Sequence, residues 1–261
     1  MLEVAVHRDT RMGVKRLEIN NTGTLASNAI SIRALNSNTI KVIAIIAMIV
    51  DHMAYWLVAD GTALNSVIHT FGRLAAPIMC YFIAEGYFYT SNLKKYITRL
   101  FLFAVVSHFP FVLYFGLDWW QGTSVIWSLL MGLVALAISQ KAEIPLFLKI
   151  ALIGMCCLLA WTADWNYIAV LWVLFLGIFR GRFKMQMMSY VTIGTIFYII
   201  PGVISMGSHS IFRFGIFLVV PLLALYNGER GRKSNLIKWG FYFFYPAHLI
   251  ILYLLRHVIF A

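Results

Sequence analysis

Nine apolar runs, separated by short polar stretches, fill the chain from position 39 onward. They lie at roughly 39–58, 68–90, 96–115, 124–140, 145–161, 166–180, 188–204, 210–226 and 239–258. Several approach the ~20 residues a helix needs to cross the hydrocarbon core of a bilayer. The sixth and eighth are short, which predicts mismatched or re-entrant segments. Pro201 with Gly202, and Pro221, predict breaks in the seventh and eighth helices. Such breaks must face protein or a cavity, because lipid leaves freed backbone groups unpaired. The pattern predicts an all-α polytopic membrane protein with about nine transmembrane helices.

Residues 1–38 differ from the rest. They are polar, carry Arg8, Arg11, Lys15, Arg16 and Arg33, and contain no apolar run. No signal-peptide core follows the basic residues. The expectation is a disordered cytoplasmic tail, with Met12 as an alternative start, ahead of a helical membrane domain over 39–261.

Composition agrees with this division. Of 261 residues, 61% are hydrophobic and 12% charged, against about 25% charged in a soluble domain. One aqueous core could not hide that much apolar surface. The net charge of +11 would suggest nucleic acid in a soluble chain. Here the cations sit in short loops, where they set topology; no nucleic-acid partner is expected. One alternating set of loops holds the basic tail, Lys94, Lys95 and Arg99, Lys141, Arg180, Arg182 and Lys184, and Arg230, Arg232, Lys233 and Lys238. The other set, 59–67, 116–123, 162–165 and 205–209, has no Lys or Arg. Nine spans with the N-terminus inside and the C-terminus outside satisfy every loop, in the cytoplasmic membrane of a bacterium.

Charges inside a span are costly and mark candidate functional positions. The first span carries Asp51 and His52, the second Arg73 and Glu85, the third His108, the eighth Arg213, and the ninth His248, Arg256 and His257. All His outside the tail fall at the midplane or in the outer half, as do Asp51 and Arg73. That suggests a polar cavity open to the outer face. Plainer readings stand beside this one. Asp51 and Arg73 make a structural ion pair. His69, His209, Arg256 and His257 sit near helix ends and meet headgroups or water. His108 precedes Phe109-Pro110 and satisfies backbone freed by the proline. Glu85 pairs with Arg99 or Lys95. There is no P-loop, GxSxG or HExxH motif, and the only close pairing of a His in a span is His248 with Tyr245, so no metal is expected. Cys80, Cys156 and Cys157 lie in apolar runs and show neither a metal spacing nor a disulfide framework.

Several short strings, in order on successive helices, resemble the TraX family. They are Ile40-Lys41-Val42 leading to Met48-Ile49-Val50-Asp51-His52, then Phe71-Gly72-Arg73-Leu74-Ala75-Ala76-Pro77 with Glu85-Gly86, then Tyr96 to Arg99-Leu100, and Phe244-Tyr245-Pro246-Ala247-His248-Leu249. The resemblance covers about 36–258. It implies kinship with transmembrane acyltransferases, including the acyltransferase-3 proteins and the lysosomal heparan glucosaminide acetyltransferase. The role it implies is acetylation of a pilin N-terminus, with acetyl-CoA or another acyl-CoA as donor; a glycan is the other acceptor considered. On this reading His52 or His248 is the general base, and Arg73 is the donor for the oxyanion. Lys94, Lys95 and Arg99 hold the phosphates of coenzyme A. Asp51 and His52 diverge by about 100° on a helix, so Asp51 is expected to orient His248 or His108. A proton-coupled transporter and a non-catalytic assembly protein of the envelope are the competing functions.

Overall fold

The computed structural model describes residues 34–232 and 234–259. Most of the expected tail therefore lies outside the described residues. The described chain is helical, with two isolated bridges, Leu35 to Tyr226 and Thr123 to Ala163, in place of any strand.

The first helix, α1 (Ser37–Leu57), starts where the Asn36 side chain accepts from the Thr39 amide at 3.0 Å, satisfying one of the orphan donors of a first turn. It begins two residues inside the expected tail. Ile40, Ala44, Ala47 and Ala54, spaced by whole turns, are buried, whereas Val42, Ile46, Tyr55 and Leu57 are exposed. A helix with large apolar residues on its outer face needs lipid as its solvent. The same holds for α4 (Leu93–Phe115) and α11 (Asn235–Ile259), which pack together. Five helical segments are long and apolar enough to cross a membrane: Ser37–Leu57, Ala63–Tyr89, Leu93–Phe115, Phe183–Ala224 and Asn235–Ile259. The chain is a multi-pass membrane protein.

Shorter apolar helices build the centre. α5 (Val125–Ser139) and α7 (Asn166–Ile178) pack face to face, with α3 (Ala75–Tyr89) against both and α6 (Leu146–Leu159) on the outside. Gly132 and Gly177 permit this approach: a Cβ on either would collide with Val173 or Leu136 across the interface.

Two expected spans differ in detail. The run 68–90 is not one rod: α2 (Ala63–Gly72) stops, and α3 restarts at Ala75 after Arg73 and Leu74. The expected breaks at Pro201 and Pro221 are displaced. α8 (Phe183–Gly194) passes into a π-helical turn, Thr195–Ile199, ahead of Pro201. α9 (Ile200–Met206) ends at Gly207, whose φ of +57° reverses the chain. A 3₁₀ segment, Gly207–Leu218, then returns along α9 and against α2, and α10 (Val219–Ala224) closes the unit with Pro221 inside it. The π turn leaves the Tyr198 carbonyl to an outside donor, which Arg213 Nη1 supplies at 3.0 Å.

Hydrogen bonds tie several helix ends into one basic end. The Leu35 amide donates to Leu225 O and the Asn227 amide to Leu35 O, at 3.0 and 2.9 Å. Asn38 Nδ2 donates to Arg232 O at 2.9 Å. The last turn of α3 joins the same end through Glu85, held by Arg180 after α7.

Candidate functional site

Adjacent residues on α1 serve two different neighbours. Asp51 turns toward α2, and its Oδ1 accepts from His69 Nδ1 at 2.7 Å. Arg73 Nη2 donates to Asp51 Oδ1 and Oδ2 at 3.0 and 2.8 Å. The remaining nitrogens of Arg73 are also engaged: Nε donates to His69 O at 3.3 Å and Nη1 to the Tyr198 hydroxyl at 3.1 Å. Trp165 and Phe212 flank the guanidinium, each ring 5.4 Å away. The Asp51–Arg73 ion pair of the plainer sequence reading is therefore present, and a histidine completes it. Asp51 orients His69, not His248 or His108. The reason is helical spacing: His69 and Arg73 are four residues apart, so both project from one face of α2.

His52 turns toward α11. Its Nδ1 lies 2.9 Å from His248 Nε2, with the rings stacked. His248 Nδ1 lies 3.0 Å from the Phe244 carbonyl. A carbonyl only accepts, so His248 Nδ1 carries its proton. With both rings neutral, His248 Nε2 accepts from His52 Nδ1–H, and the lone pair of His52 is at Nε2. The same logic gives His69 a proton on Nδ1, facing Asp51, and a lone pair on Nε2. All three tautomers are assigned from the hydrogen-bond pattern.

His52, His69, Asp51 and Arg73 all line one cavity of about 240 Å³, together with Tyr55, Asp164 and Trp165. His248 is buried behind His52 and does not line it. Of the four residues expected to converge, three reach the cavity and His248 holds one of them in place.

Asp164 comes from the loop between α6 and α7. Its amide donates to Thr123 O at 2.8 Å, and Ser128 Oγ donates to its carbonyl at 2.9 Å. The next two residues, Trp165 and Asn166, have φ of +60° and +31°. Non-glycine residues in this region cost on the order of 1–3 kcal/mol each and cluster at functional sites. Burial, with the Asp51 charge adding to it, pushes the Asp164 carboxyl up to about 6; Arg73 opposes the shift.

A second cavity, about 850 Å³, opens at the basic end. Of the three cations expected to hold a phosphate, Lys95 and Arg99 line it and Lys94 does not. Lys41, Arg230, Arg232 and Lys238 add four further cations. Lys41 lies over the Phe82 ring at 4.8 Å, and Arg99 over Tyr242 at 5.0 Å. Glu85 lines this cavity but pairs with Arg180, Nε to Oε1 at 3.0 Å and Nη2 to Oε2 at 3.2 Å, rather than with Lys95 or Arg99. Two N–H groups of a planar fork match a carboxylate better than a single ammonium. His108 lines neither cavity and touches the Phe109 ring. Met48, Val125 and Tyr245 line both cavities, so the two meet end to end at one wall.

Sequence reading missed His69, Asp164, Tyr198 and Lys41 as site residues. The i, i+4 spacing of His69 and Arg73 was a usable signal. Nothing local in the sequence marks Tyr198, whose hydroxyl reaches Arg73 from another helical segment. Among the described residues, no group of three or more His, Cys, Asp or Glu is placed to hold a metal ion.

Comparison with known proteins agrees with this arrangement of motifs. "Probable fimbrial assembly protein FimC, serogroup H1" of Dichelobacter nodosus is 31% identical over 233 residues, which is 82% of this chain and 92% of that protein. No solved structure gives a significant match. Residues 36–256, a span that holds every residue of both cavities, match the TraX protein family, and the chain belongs to that family.

Proposed function

We propose that this protein is a membrane acyltransferase that moves an acyl group, acetyl in the simplest case, from acyl-CoA to an acceptor on the far side of the membrane. One observation carries the reading: a cation-lined cavity at one end and a histidine–carboxylate cavity toward the other share the wall of Met48, Val125 and Tyr245. Phosphates of a coenzyme A donor would meet Lys41, Lys95, Arg99, Arg230, Arg232 and Lys238, with Tyr96, Phe241 and Tyr242 available to its adenine. The thioester end would then point toward the wall between the cavities.

His69 is the general base of choice. Asp51 fixes its tautomer and would stabilise the imidazolium formed when Nε2 takes the acceptor's proton. Arg73 is a positioning residue on this reading, because its nitrogens already hold Asp51, His69 O and Tyr198. His52, held by His248, presents a second lone pair to the same cavity. The loop charges support nine membrane passages with the basic end in the cytoplasm and the C-terminus outside, which puts the donor cavity on the side where acyl-CoA is made. The relative's name, a fimbrial assembly protein, supports the N-terminal amine of a fimbrial subunit as acceptor.

The test uses purified protein in lipid vesicles, labelled acetyl-CoA and a fimbrial-subunit peptide. Wild type should bind acetyl-CoA and label the peptide, and His69→Ala should lower transfer by roughly 10²–10⁴ with acetyl-CoA binding kept. Wild type that neither binds acetyl-CoA nor transfers acetyl would refute the enzyme reading.

A further inference from the structure

With Arg73 committed to Asp51, His69 and Tyr198, acyl transfer lacks the donor that the sequence assigned to its developing negative charge. The shared wall supplies one. Tyr245 is 6% exposed, lines both cavities, and its O–H proton has no acceptor. A buried donor without an acceptor is costly, so an unspent donor at this position asks for an occupant. The hydroxyl oxygen takes a hydrogen bond from the Val125 backbone N–H, which leaves the phenolic proton free to donate. Val125 opens α5, a helix of 15 residues, and the first amides of a helix have no partner within it. Ser124, the N-cap residue, makes no side-chain cap bond there. The wall therefore offers a phenolic O–H and the positive end of a helix dipole at one place.

We propose that the Tyr245 hydroxyl, at the positive end of the α5 dipole, binds the carbonyl oxygen of the acyl donor and stabilises it as it becomes an oxyanion. The inference rests on the acyltransferase reading and names a catalytic residue for it. In the step, the acceptor's lone pair forms a bond to the carbonyl carbon, and the carbonyl π electrons move onto oxygen, where the Tyr245 O–H and the positive end of α5 meet them. The electrons then return, the carbon–sulfur bond breaks, and coenzyme A leaves as thiolate. The acceptor's proton goes to His69 and from there to the thiolate. Donors fixed in advance and shielded from water act on this charge far more strongly than water would.

Tyr245→Phe removes one oxygen from a well-packed site and is the variant to make. It is assayed in vesicles against two donors: acetyl-CoA, and its analogue with sulfur in place of the carbonyl oxygen, a poor hydrogen-bond acceptor. With acetyl-CoA, kcat should fall about 10²–10³-fold, as expected for one oxyanion donor, while acetyl-CoA binding is unchanged. With the sulfur analogue, wild type and variant should differ by less than about tenfold, since the lost bond was already weak. An equal loss on both donors would mean a packing defect and overturn the proposal. So would an unchanged kcat on acetyl-CoA while His69→Ala is inactive; the acyltransferase reading would then stand without it. A wild-type protein with no transfer activity overturns that reading, and the proposal with it.

Discussion

A single methyl group placed at Gly72 should switch the site off without touching its charge. Gly72 ends α2, and its φ is not positive, so alanine suits its backbone. On propensity alone, Gly to Ala in a helix is worth about 1 kcal/mol in favour of the helix. The structure reverses that sign. An added Cβ would overlap the Asp51 carboxylate, with Asp51 Cβ itself at 2.5 Å. Because the overlap reaches Asp51 Cβ, rotating the carboxylate cannot relieve it, and α1 and α2 must move apart. Overpacking of this kind costs roughly 1–3 kcal/mol, so the net effect is a loss of about 0–2 kcal/mol. The functional effect is larger. Asp51 holds His69 at 2.7 Å and Arg73 at 2.8 Å, and a 1 Å displacement of a positioned catalytic group can cost about 10²-fold. Thermal unfolding in detergent and acetyl transfer in vesicles measure the two effects. Gly72→Ala that keeps wild-type transfer and gains stability would show that the close contact of α1 with α2 does not position Asp51.

Two further outcomes follow from the ionic groups. Asp164 sits at about 6 because it is buried, above its ordinary value near 3.9; its folded value is raised, so its contribution is fully present below the ordinary value and is lost as pH rises through about 6. Asp164→Asn should therefore melt higher than wild type at pH 8 and lose that gain by pH 4; an equal effect at both pH values would refute the assignment. Replacing Lys95 and Arg99 together by Ala should raise KM for acyl-CoA at least tenfold with kcat within a factor of about three, because phosphate contacts far from the reacting carbon bind ground and transition states alike; a fall in kcat at unchanged KM would refute that division.

The sequence made the membrane helices and the cast of polar residues legible, and left their pairing obscure. Asp51, His52, Arg73 and His248 stand out because a charge or imidazole in an apolar run has to be accounted for. Which partner each takes depends on helix rotation and on contacts far apart in the chain. Asp51 and His52 differ by one residue and so face α2 and α11; the 100° step per residue predicted the divergence but not the neighbours. His69 looked like an end-of-helix residue because the run 68–90 reads as one rod. The actual stop of α2 at Gly72 makes His69 part of a short helix laid against α1. Glu85 shows the same limit: Lys95 and Arg99 are nearer in sequence, yet Arg180, beyond α7, takes it. Tyr245 was invisible as a donor, since one tyrosine among many aromatic residues is unremarkable until its hydroxyl is found buried with no acceptor for its proton.

Lipid makes the arrangement of the two cavities more than a convenience. An unpaired charge in the hydrocarbon region is costly enough that a site there must carry its own partners. Asp51, Arg73 and His69 do so as a closed set, with Tyr198 taking the remaining face of the guanidinium. The cations at the basic end are different: Lys95, Arg99, Arg230, Arg232 and Lys238 line a cavity with Glu85 and Glu229 as its only carboxylates among the described residues, and Glu85 is bound to Arg180. One polar cluster is thus complete in itself while the other has an excess of positive charge. On the proposed reaction this asymmetry gives direction. The anionic donor is drawn to the end with unspent charge, and the neutral thioester can advance to the wall of Met48, Val125 and Tyr245 without carrying charge into the membrane. A site with the excess cations beside His69 would instead bind the donor's phosphates where the acceptor has to enter.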